Sequence, residues 1–309
     1  MSWWGVLMSW WKKIKSIIIP EKNISLVPLV VPHDLLNSVK EKKDNYILWS
    51  HELRDSHGFL PGCDSLLFTS LSAVGGSPVN LFAARDGGRW YRTPSRDCFS
   101  SGRSGSTVSR DMLLGVLWYA YAKKDIGVVE DLFNFAKGHG FKIGDGDPAR
   151  VYLTPNMQKL CADIVDNLGG RNDRFFRQIP MVFPSGLKGY EAHLQILIIL
   201  LKLHMDGHVS KTMADRIHEH AERNEFNSLF QLARALITDG NLYKCTELLI
   251  GLSQFPSDHL PDNTCRSTEY LWEREHAADW YGSDLHQETY SGSDLIFAAG
   301  LIELFISKY

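Results

Sequence analysis

Apolar residues recur at helical spacing along most of the chain, in segments that end at glycine, asparagine or proline. Leu113, Leu114, Leu117, Trp118 and Tyr121 show the pattern, because steps of three and four residues place them on one face of a helix. The pattern predicts an all-α protein. The predicted helices after residue 33 are 34–39, 63–74, 111–124, 128–137, 155–168, 190–205, 212–223, 227–238, 242–252 and 293–306.

Two segments depart from this amphipathic helical pattern. The centre of the 190–205 helix, from Leu194 to Leu201, is almost wholly apolar, yet it is too short for a membrane span and predicts a buried helix. Residues 76–109 are rich in Gly, Ser, Arg and Pro and show little periodicity. A short hairpin is expected there, since 79–83 and 89–92 flank the turn sequence Asp86-Gly87-Gly88.

Successive helix pairs with short turns are compatible with two architectures. An α-solenoid would show a sequence repeat of fixed period, and no such repeat is found. In an α/α toroid, helical hairpins form an inner and an outer ring, and long loops at one end build a site. Long loops precede Asp111, Pro155, Tyr190 and Ser293. The α/α toroid is therefore the preferred prediction.

The N-terminus differs from the rest of the chain and predicts an amphipathic helical arm. Its apolar run before Lys12 is too short to span a bilayer, and basic residues follow that run, which is opposite to a secretory signal. We expect residues 1–19 to dock on a protein partner or a second copy, with contact at a membrane interface as the less favoured alternative. Residues along the apolar seam are Trp3, Trp4, Leu7, Trp10, Trp11, Ile14 and Ile18.

Prolines divide this arm from the body. Pro20 ends the amphipathic segment, and Pro28 and Pro32 favour extended backbone in the residues between. The predicted organisation is an arm and linker over 1–32 and one helical domain over 33–309. With no cleavable signal or transmembrane span recognised, a cytoplasmic location or a place in a larger assembly is expected.

Composition and charge narrow the function classes. With 44% hydrophobic and 22% charged residues, the chain has an ordinary globular composition. The 33 basic and 36 acidic residues give a net charge of −3, so nothing in the overall charge attracts nucleic acid. The odd number of scattered cysteines predicts neither a zinc knuckle nor a disulfide framework and weakly favours a reducing compartment. These cysteines are Cys63, Cys98, Cys161, Cys245 and Cys265.

Four clusters carry candidate chemistry. In the first, Asp64 and His57 lie on a loop that leads into a helix, so Asp64 is a candidate general acid or base. The alternative for Asp64 is a favourable position near the positive end of the helix dipole.

The second cluster is an arginine-rich loop with aromatic residues, which predicts a surface for an anionic or sugar-like ligand. Guanidinium groups bind carboxylates and phosphates with two parallel hydrogen bonds, and aromatic faces suit pyranose rings. Alternatively, the loop is solvated, with Ser109 as the cap of the next helix and Asp111 in its first turn. The candidates are Trp90, Arg92, Arg96, Arg103, Arg110 and Asp111.

The third and fourth clusters lie further along the chain. Asp145 and Asp147, between glycines, are candidate catalytic carboxylates or simple turn residues, and Tyr152 follows them. Trp272, His276 and Trp280 fit a carbohydrate groove, although core packing explains the aromatic residues equally well. The histidines near residue 218 lack a metal-binding pattern, so no metal and no cofactor are predicted.

One segment carries a family resemblance. The residues Ser109-Arg110-Asp111-Met112-Leu113-Leu114-Gly115-Val116-Leu117, with Trp118 and Lys124-Asp125, resemble the Arg-Asp start of an inner helix in six-hairpin glycosidases and related α/α-toroid polysaccharide-degrading enzymes. The resemblance implies substrate binding across the open end of a toroid and hydrolysis by acidic residues. By motif it points to Asp111, with Asp64, Asp145 and Asp147 as partners by position.

Three functions follow from these patterns. The preferred one is a glycan-active enzyme, a hydrolase with an oligosaccharide or polysaccharide substrate, or a lyase in which arginine neutralises a uronate. The alternative is a non-catalytic helical assembly protein attached through residues 1–19. Nucleic-acid binding is least favoured, because no recognised motif is present.

Overall fold

The computed structural model describes residues 23–52, 54–60, 63, 65–96, 98, 106–170, 176, 179–225, 227–251 and 293–307. This part of the chain is predominantly helical, which confirms the predicted all-α class. The helices are α1 (His33–His51), α2 (Ser65–Val74), α3 (Arg110–Ala122), α4 (Ile126–Gly138), α5 (Pro148–Val151), α6 (Pro155–Asn167), α7 (Gly189–Asp206), α8 (Lys211–Arg223), α9 (Ser228–Ala235), α10 (Tyr243–Gly251) and α11 (Ser293–Ile306). The short strands are β1 (Asn23–Ser25), β2 (Arg85–Asp86), β3 (Arg89–Trp90) and β4 (His208–Ser210).

Most helix boundaries lie within a few residues of the predicted ones, and α1 is the main exception. It extends to His51, twelve residues beyond the predicted end at 39. Val39, Lys43, Tyr46 and Ser50 form its buried face at steps of three and four residues. Two of these four are polar, so the face does not appear as an apolar stripe. Lys43 is buried because its ammonium group pairs with the carboxylate of Glu303 on α11 at 2.8 Å.

The core is built around α2, whose residues from Ser65 to Ala73 are all buried. On one side it packs against α3 and on the other against α11. Glycine allows both contacts. A Cβ at Gly115 of α3 would lie 2.9 Å from the carbonyl oxygen of Leu67. A Cβ at Gly300 of α11 would lie 2.5 Å from the Cα of Gly75. The backbones therefore approach closely at both crossings.

Further helices complete the body around this centre. Helix α3 also contacts α4, α6 and α7, and α7 contacts α6, α8 and α9. Helix α11 packs against α1, α2 and α9, so the first and the last helix of the described chain are in contact. As predicted, α7 is a buried helix at its centre. No helix among the described residues has the length and apolar character needed to cross a membrane.

Residues 23–31 lie along the helical body. Strand β1 pairs with β4 in antiparallel orientation, with Ile24 opposite Val209. The backbone amide of Val30 donates to the carbonyl of Gly240, which has a φ of 71° and approaches Pro28 closely. The expected extended backbone is present here, and it is hydrogen-bonded to the body instead of crossing solvent as a linker. The amphipathic arm of residues 1–19 lies outside the described residues.

The region before α3 holds the predicted hairpin in a shorter form. Strands β2 and β3 pair through the two-residue turn Gly87-Gly88. Residues 81–83, the second part of the expected strand 79–83, belong instead to a 3₁₀ helix over Leu81–Ala84, whose Leu81 and Ala84 are buried. Gly88 lies directly against the backbone of Asp131 on α4, where a side chain would not fit. The hairpin is therefore anchored to the helical body.

A disulfide joins Cys63 and Cys98, with their Cα atoms 5.5 Å apart. The expectation that the scattered cysteines form no disulfide framework is therefore wrong for these two residues. They are 35 residues apart in sequence, and only the folded loop brings them together, so no local spacing motif signals the bond. Cys161 and Cys245 are free and buried, as expected for small apolar side chains.

Candidate functional site

A cavity of about 430 Å³ lies where the N-terminal parts of α3, α6 and α7 meet. Three helix starts build most of it: the Arg110-Asp111 start of α3, the segment 154–157 at the start of α6, and the first turns of α7. The segment before α7, residues 180–188, closes one side and is called the strap below. The lining residues are Arg110, Asp111, Leu114, Thr154, Pro155, Asn156, Met157, Pro180, Val182, Phe183, Pro184, Leu187, Glu191, Leu194, Gln195 and Ile198.

Two carboxylates line this cavity. Asp111 lies in the first turn of α3, and Glu191 lies in the first turn of α7. Backbone N–H groups at a helix N-terminus carry partial positive charge, which favours acidic side chains in both positions. Arg110, half-buried beside Asp111, adds a cation to the same wall. The cavity therefore combines two acids from different helices with one permanent positive charge.

Most of the wall is apolar. Leu114, Met157 and Phe183 are buried at its base, and Leu194 and Ile198 are half-buried along α7. The exposed rim combines apolar residues with an acid: Val182 is 65% exposed, Pro155 and Pro184 are exposed, and so is Glu191. A ligand that fills this space needs apolar groups as well as polar ones.

Side chains from α6 and α8 hold the strap. The amide of Asn156 on α6 exchanges two hydrogen bonds with the backbone of Val182, at 2.8 and 3.0 Å. From α8, the carboxylate of Glu219 accepts a hydrogen bond from the amide of Gly186 at 2.6 Å, and Arg223 donates to the carbonyl of Leu187. The strap is thus fixed to the body along its length.

Gln195 of α7 connects the cavity to the interior. Its Nε2 donates to the carbonyl of Pro184 at 3.1 Å, so its Oε1 must face the Nε2 of His220 at 2.7 Å. An amide oxygen only accepts, which requires that His220 carries its proton on Nε2. His220 is fully buried, and desolvation lowers its pKa to about 4, so the ring is neutral at physiological pH.

Arg92, a predicted substrate-binding residue, is buried in structural contacts. Its guanidinium donates to the carbonyl of Ser106 at 2.5 Å, to the Oγ of Ser106 at 3.0 Å and to the carbonyl of Cys63 at 3.0 Å. These bonds tie the loop before α2 to the loop before α3. Trp90 is also buried, with the Arg85 guanidinium 5.6 Å from its ring centre. Both side chains stabilise the loop.

Asp145 is held at the surface by two cations. Its carboxylate accepts from Arg89 at 2.6 Å and from Lys142 at 3.3 Å, and these hydrogen bonds lower its pKa. Its backbone amide donates to the hydroxyl of Thr107 at 2.9 Å. Asp147 is 3.5 Å from Arg150 at the start of α5. Neither carboxylate lines the cavity that contains Asp111.

The other described candidates lie on the surface. The guanidinium of Arg96 lies 4.4 Å from the ring centre of Tyr91 and 3.6 Å from the carboxylate of Asp86. Tyr152 is 46% exposed, two residues before Thr154 of the cavity wall. His57 is exposed on a loop held by the Asp55 carboxylate. Candidates outside the described residues are Asp64, Arg103, Trp272, His276 and Trp280.

The structure therefore gathers fewer of the predicted site residues than expected. Of those described, only Arg110 and Asp111 line the cavity. Sequence reasoning missed Glu191 and Gln195, because the apolar run of α7 indicated a core helix. The signal for Glu191 was available, since it is an acid in the first turn of a helix that follows a long loop, as Asp111 is.

Ser109 also differs from expectation. It occupies the N-cap position of α3, but its side chain makes no capping hydrogen bond and its Oγ is buried without a partner among the described residues. Across the same part of the chain, no group of three or more His, Cys, Asp or Glu residues is arranged to hold a metal ion. Comparisons with protein-family models, curated proteins and solved structures found no match to this chain.

Proposed function

We propose that this protein is a glycan-active enzyme whose cavity uses Asp111 and Glu191 as its catalytic carboxylates. The observation that carries the proposal is the convergence of these two acids, from the first turns of α3 and α7, on one cavity. It retains Asp111 from the sequence-based prediction and replaces Asp145 and Asp147 by Glu191. The resemblance at the start of α3 supports the same choice.

Two carboxyl groups are sufficient for glycoside hydrolysis. One, protonated, donates its proton to the oxygen of the leaving sugar, while the other, ionised, activates a water molecule or attacks the anomeric carbon. Arg110 precedes Asp111 at the start of α3 and supplies a positive charge to the same cavity wall. Asp111 and Glu191 provide the two carboxyl groups, one for each role.

We further propose that the helical body is an α/α toroid with this cavity at its open end. The support is that the N-terminal parts of α3, α6 and α7 all contribute to the same cavity. In a toroid, every inner helix runs in the same direction, so equivalent helix ends meet at one face. This end is then where a polysaccharide crosses the body.

The test is hydrolysis by the full chain and by two variants. Asp111→Asn and Glu191→Gln each remove a carboxylate with little change of volume, and we expect each to lower activity by about 100- to 10,000-fold. Reducing ends released from a panel of neutral and acidic polysaccharides measure hydrolysis. Ultraviolet absorbance of an unsaturated product identifies lyase chemistry on the acidic members.

Asp34→Asn is the matched control, because Asp34 is also an acid in the first turn of a helix but is exposed on α1. It should leave activity unchanged. If no polysaccharide in the panel releases products, or if either cavity variant retains full activity, the proposed chemistry is rejected.

The second candidate is a non-catalytic assembly protein. Its support is that Arg92 and Asp145, both predicted site residues, are held by contacts within the chain, which gives them structural roles without catalysis. Deleting residues 1–19 and measuring the mass in solution tests it. A mass per complex that falls to that of one shortened chain supports assembly through the arm, and an unchanged oligomeric state counts against it.

A further inference from the structure

The strap forms a large part of the cavity wall, although it is neither a helix nor a strand. Its lining residues are Pro180, Val182, Phe183, Pro184 and Leu187. It passes over the start of α6, because Asn156 holds the backbone of Val182 and the next residue, Met157, is buried in the same cavity. A ligand that reaches Met157 therefore also contacts the strap.

The hydrogen bonds that hold the strap differ from those of a helix or a sheet. Among the described residues, the backbone of 180–187 makes no hydrogen bond to another backbone group. It bonds instead to side chains, and the bonds to Asn156, Glu219 and Arg223 lie at the surface. Water replaces a surface hydrogen bond when it breaks, so each contributes little to holding the strap in place. Displacement of the strap would leave every helix and strand of the body intact.

The apolar packing of the strap depends mainly on Phe183. This residue is 8% exposed, and it is the one buried residue of the segment 180–185. Moving the segment away from the body therefore exposes one large apolar side chain. A ligand with apolar groups would cover the surface that Phe183 leaves.

Gly186 provides a point at which the strap can turn. It has a φ of 77°, and a Cβ at this position would have no atom within 4 Å. The amide of Gly186, which donates to Glu219 at 2.6 Å, lies on the side of the segment 180–185. The carbonyl of Leu187, which accepts from Arg223, lies on the side of α7. Rotation at Gly186 would thus move the first group and leave the second in place.

We propose that residues 180–185 form a lid, which turns at Gly186 to admit a ligand to the cavity and is held closed by Asn156 and Glu219. This role goes beyond the proposed function, because it concerns access to the cavity whatever reaction occurs there. Glu219 is well suited to hold a lid, since Arg216 and Arg223 both pair with its carboxylate and fix its position. It does not line the cavity itself.

The test measures how fast a thiol behind the lid becomes accessible in the full chain. Met157→Cys introduces the thiol where the native side chain is 3% exposed. The buried free thiols of Cys161, one turn further along α6, and Cys245 report unfolding of the body. Cys265, outside the described residues, is replaced by serine in every protein. Reaction with a maleimide under native conditions, followed by mass spectrometry of peptides, gives the rate at each thiol.

We expect the introduced thiol to react at least about 100-fold faster than Cys161 and Cys245, because opening of a lid requires less free energy than unfolding. Glu219→Ala removes one hydrogen bond from the lid and should raise this rate about 2- to 10-fold. Asn156→Ala removes two and should raise it about 5- to 100-fold. Neither variant should accelerate the reaction of Cys245.

Two matched controls are exposed residues of the same types. Glu222→Ala changes an acid on α8, and Asn134→Ala changes an amide on α4. Both should leave the rate at the introduced thiol unchanged. Glu219→Ala is the decisive variant, because Asn156 lines the cavity and its removal also widens the space beside Met157.

Three results would overturn the inference. Equal rates at the introduced thiol and at Cys161 would show that the strap moves only when the body unfolds. A rate equal to that of a free thiol in solution would show that the cavity is open without movement of the lid. An unchanged rate in Glu219→Ala would show that this residue does not hold the lid. If Met157→Cys does not fold, Leu114→Cys in the same cavity, where the native side chain is 1% exposed, replaces it. No reading depends on hydrolysis, so the result is independent of the proposed function.

Discussion

His220 is a titratable residue that the fold keeps neutral in its interior. Burial is the main cause of its lowered pKa, and the cations of Arg216 and Arg223 lower it further, whereas Glu219 acts in the opposite direction. Its ordinary value of 6.5 falls to about 4 in the folded protein. The unfolded chain consequently binds a proton in a pH range where the folded protein does not.

The free energy of unfolding should therefore decrease as the pH falls from 6.5 towards 4. Because the pKa is lowered, the unfolded state binds more protons in this window, and stability rises with pH across it. The contribution of His220 between pH 7 and pH 5 is about 2 kcal/mol. Urea unfolding at both pH values measures it.

His220→Gln is the variant that isolates this contribution, since its amide can still donate to Gln195 but does not titrate. Between pH 7 and pH 5, the free energy of unfolding should fall by about 2 kcal/mol less in the variant than in the original protein. Identical pH dependence in both proteins would show that the ring is not held neutral as described.

At the residue scale, sequence reasoning succeeded where a local rule decides the position of a side chain. Asp111 was placed correctly in the first turn of its helix because the start of α3 is evident from the pattern. Arg92 was not recognised as a buried residue, because its partners are carbonyl groups of residues 63 and 106, which only the folded loops bring together. Because these contacts are not visible in the sequence, the arginines were predicted to form a ligand-binding surface.

At the scale of elements, the crossing of α2 and α11 depends on two glycines. Gly75 follows the end of α2, and Gly300 lies within α11, with their backbones in direct contact. Glycine inside a helix costs about 0.5 to 1 kcal/mol relative to alanine, so its presence at position 300 needs a packing reason. The close approach to Gly75 is that reason.

Gly300→Ala is expected to destabilise the protein by about 1 to 3 kcal/mol. The added Cβ would lie 2.5 Å from the Cα of Gly75, and that contact outweighs the gain in helix propensity. Thermal or urea unfolding measures the change. Gly138→Ala is the control, because a Cβ at the end of α4 meets nothing within 4 Å, and this variant should be neutral or slightly stabilised.

The Cys63–Cys98 disulfide ties the loop that precedes α3 to the segment that precedes α2. It closes 35 residues, so its loss should lower the free energy of unfolding by about 4 kcal/mol through the chain entropy of the unfolded state. Urea unfolding with and without reductant measures the effect. In the Cys63→Ser/Cys98→Ser variant, reductant should not change the free energy of unfolding. A decrease in that variant would show that reductant acts through some other group.

The helices themselves were largely predictable from the sequence, whereas the packing of one helix against another was not. Period and breaker residues located α3, α6, α7 and α11 within a few residues, since local sequence governs helix formation. The contact of α2 with α11 depends on residues more than 200 positions apart, and neither composition nor period encodes such a pairing. The toroid therefore remains a proposal where the all-α class is confirmed.

At the scale of the whole molecule, α11 belongs to the centre of the body. It packs against α1, α2 and α9, and its charged Glu303 pairs with Lys43 of α1. Its large, fully buried apolar side chains are Leu295, Ile296, Phe297, Leu301, Ile302 and Phe305. Burial of one such side chain contributes about 1.5 to 3 kcal/mol, so the six together contribute about 9 to 18 kcal/mol, which is comparable with the net stability of a typical domain of about 5 to 15 kcal/mol.

Removal of residues 293–309 should therefore abolish the folded state. Circular dichroism of the truncated chain should show loss of the cooperative thermal transition, and the protein should aggregate because α2 is left uncovered. Deleting only residues 307–309 is the control, since Ser307 is exposed and makes only local hydrogen bonds. A cooperative transition in the longer truncation would place α11 outside the essential core.

The pairing of α2 with α11 also has a consequence for synthesis on the ribosome. Roughly 220 residues separate the two helices, which corresponds to on the order of 10 to 40 s of translation. During that interval the nascent chain carries an apolar helix with nothing to cover one of its sides. Chaperones that shield such surfaces are thus expected to affect the yield of this protein more than its final stability.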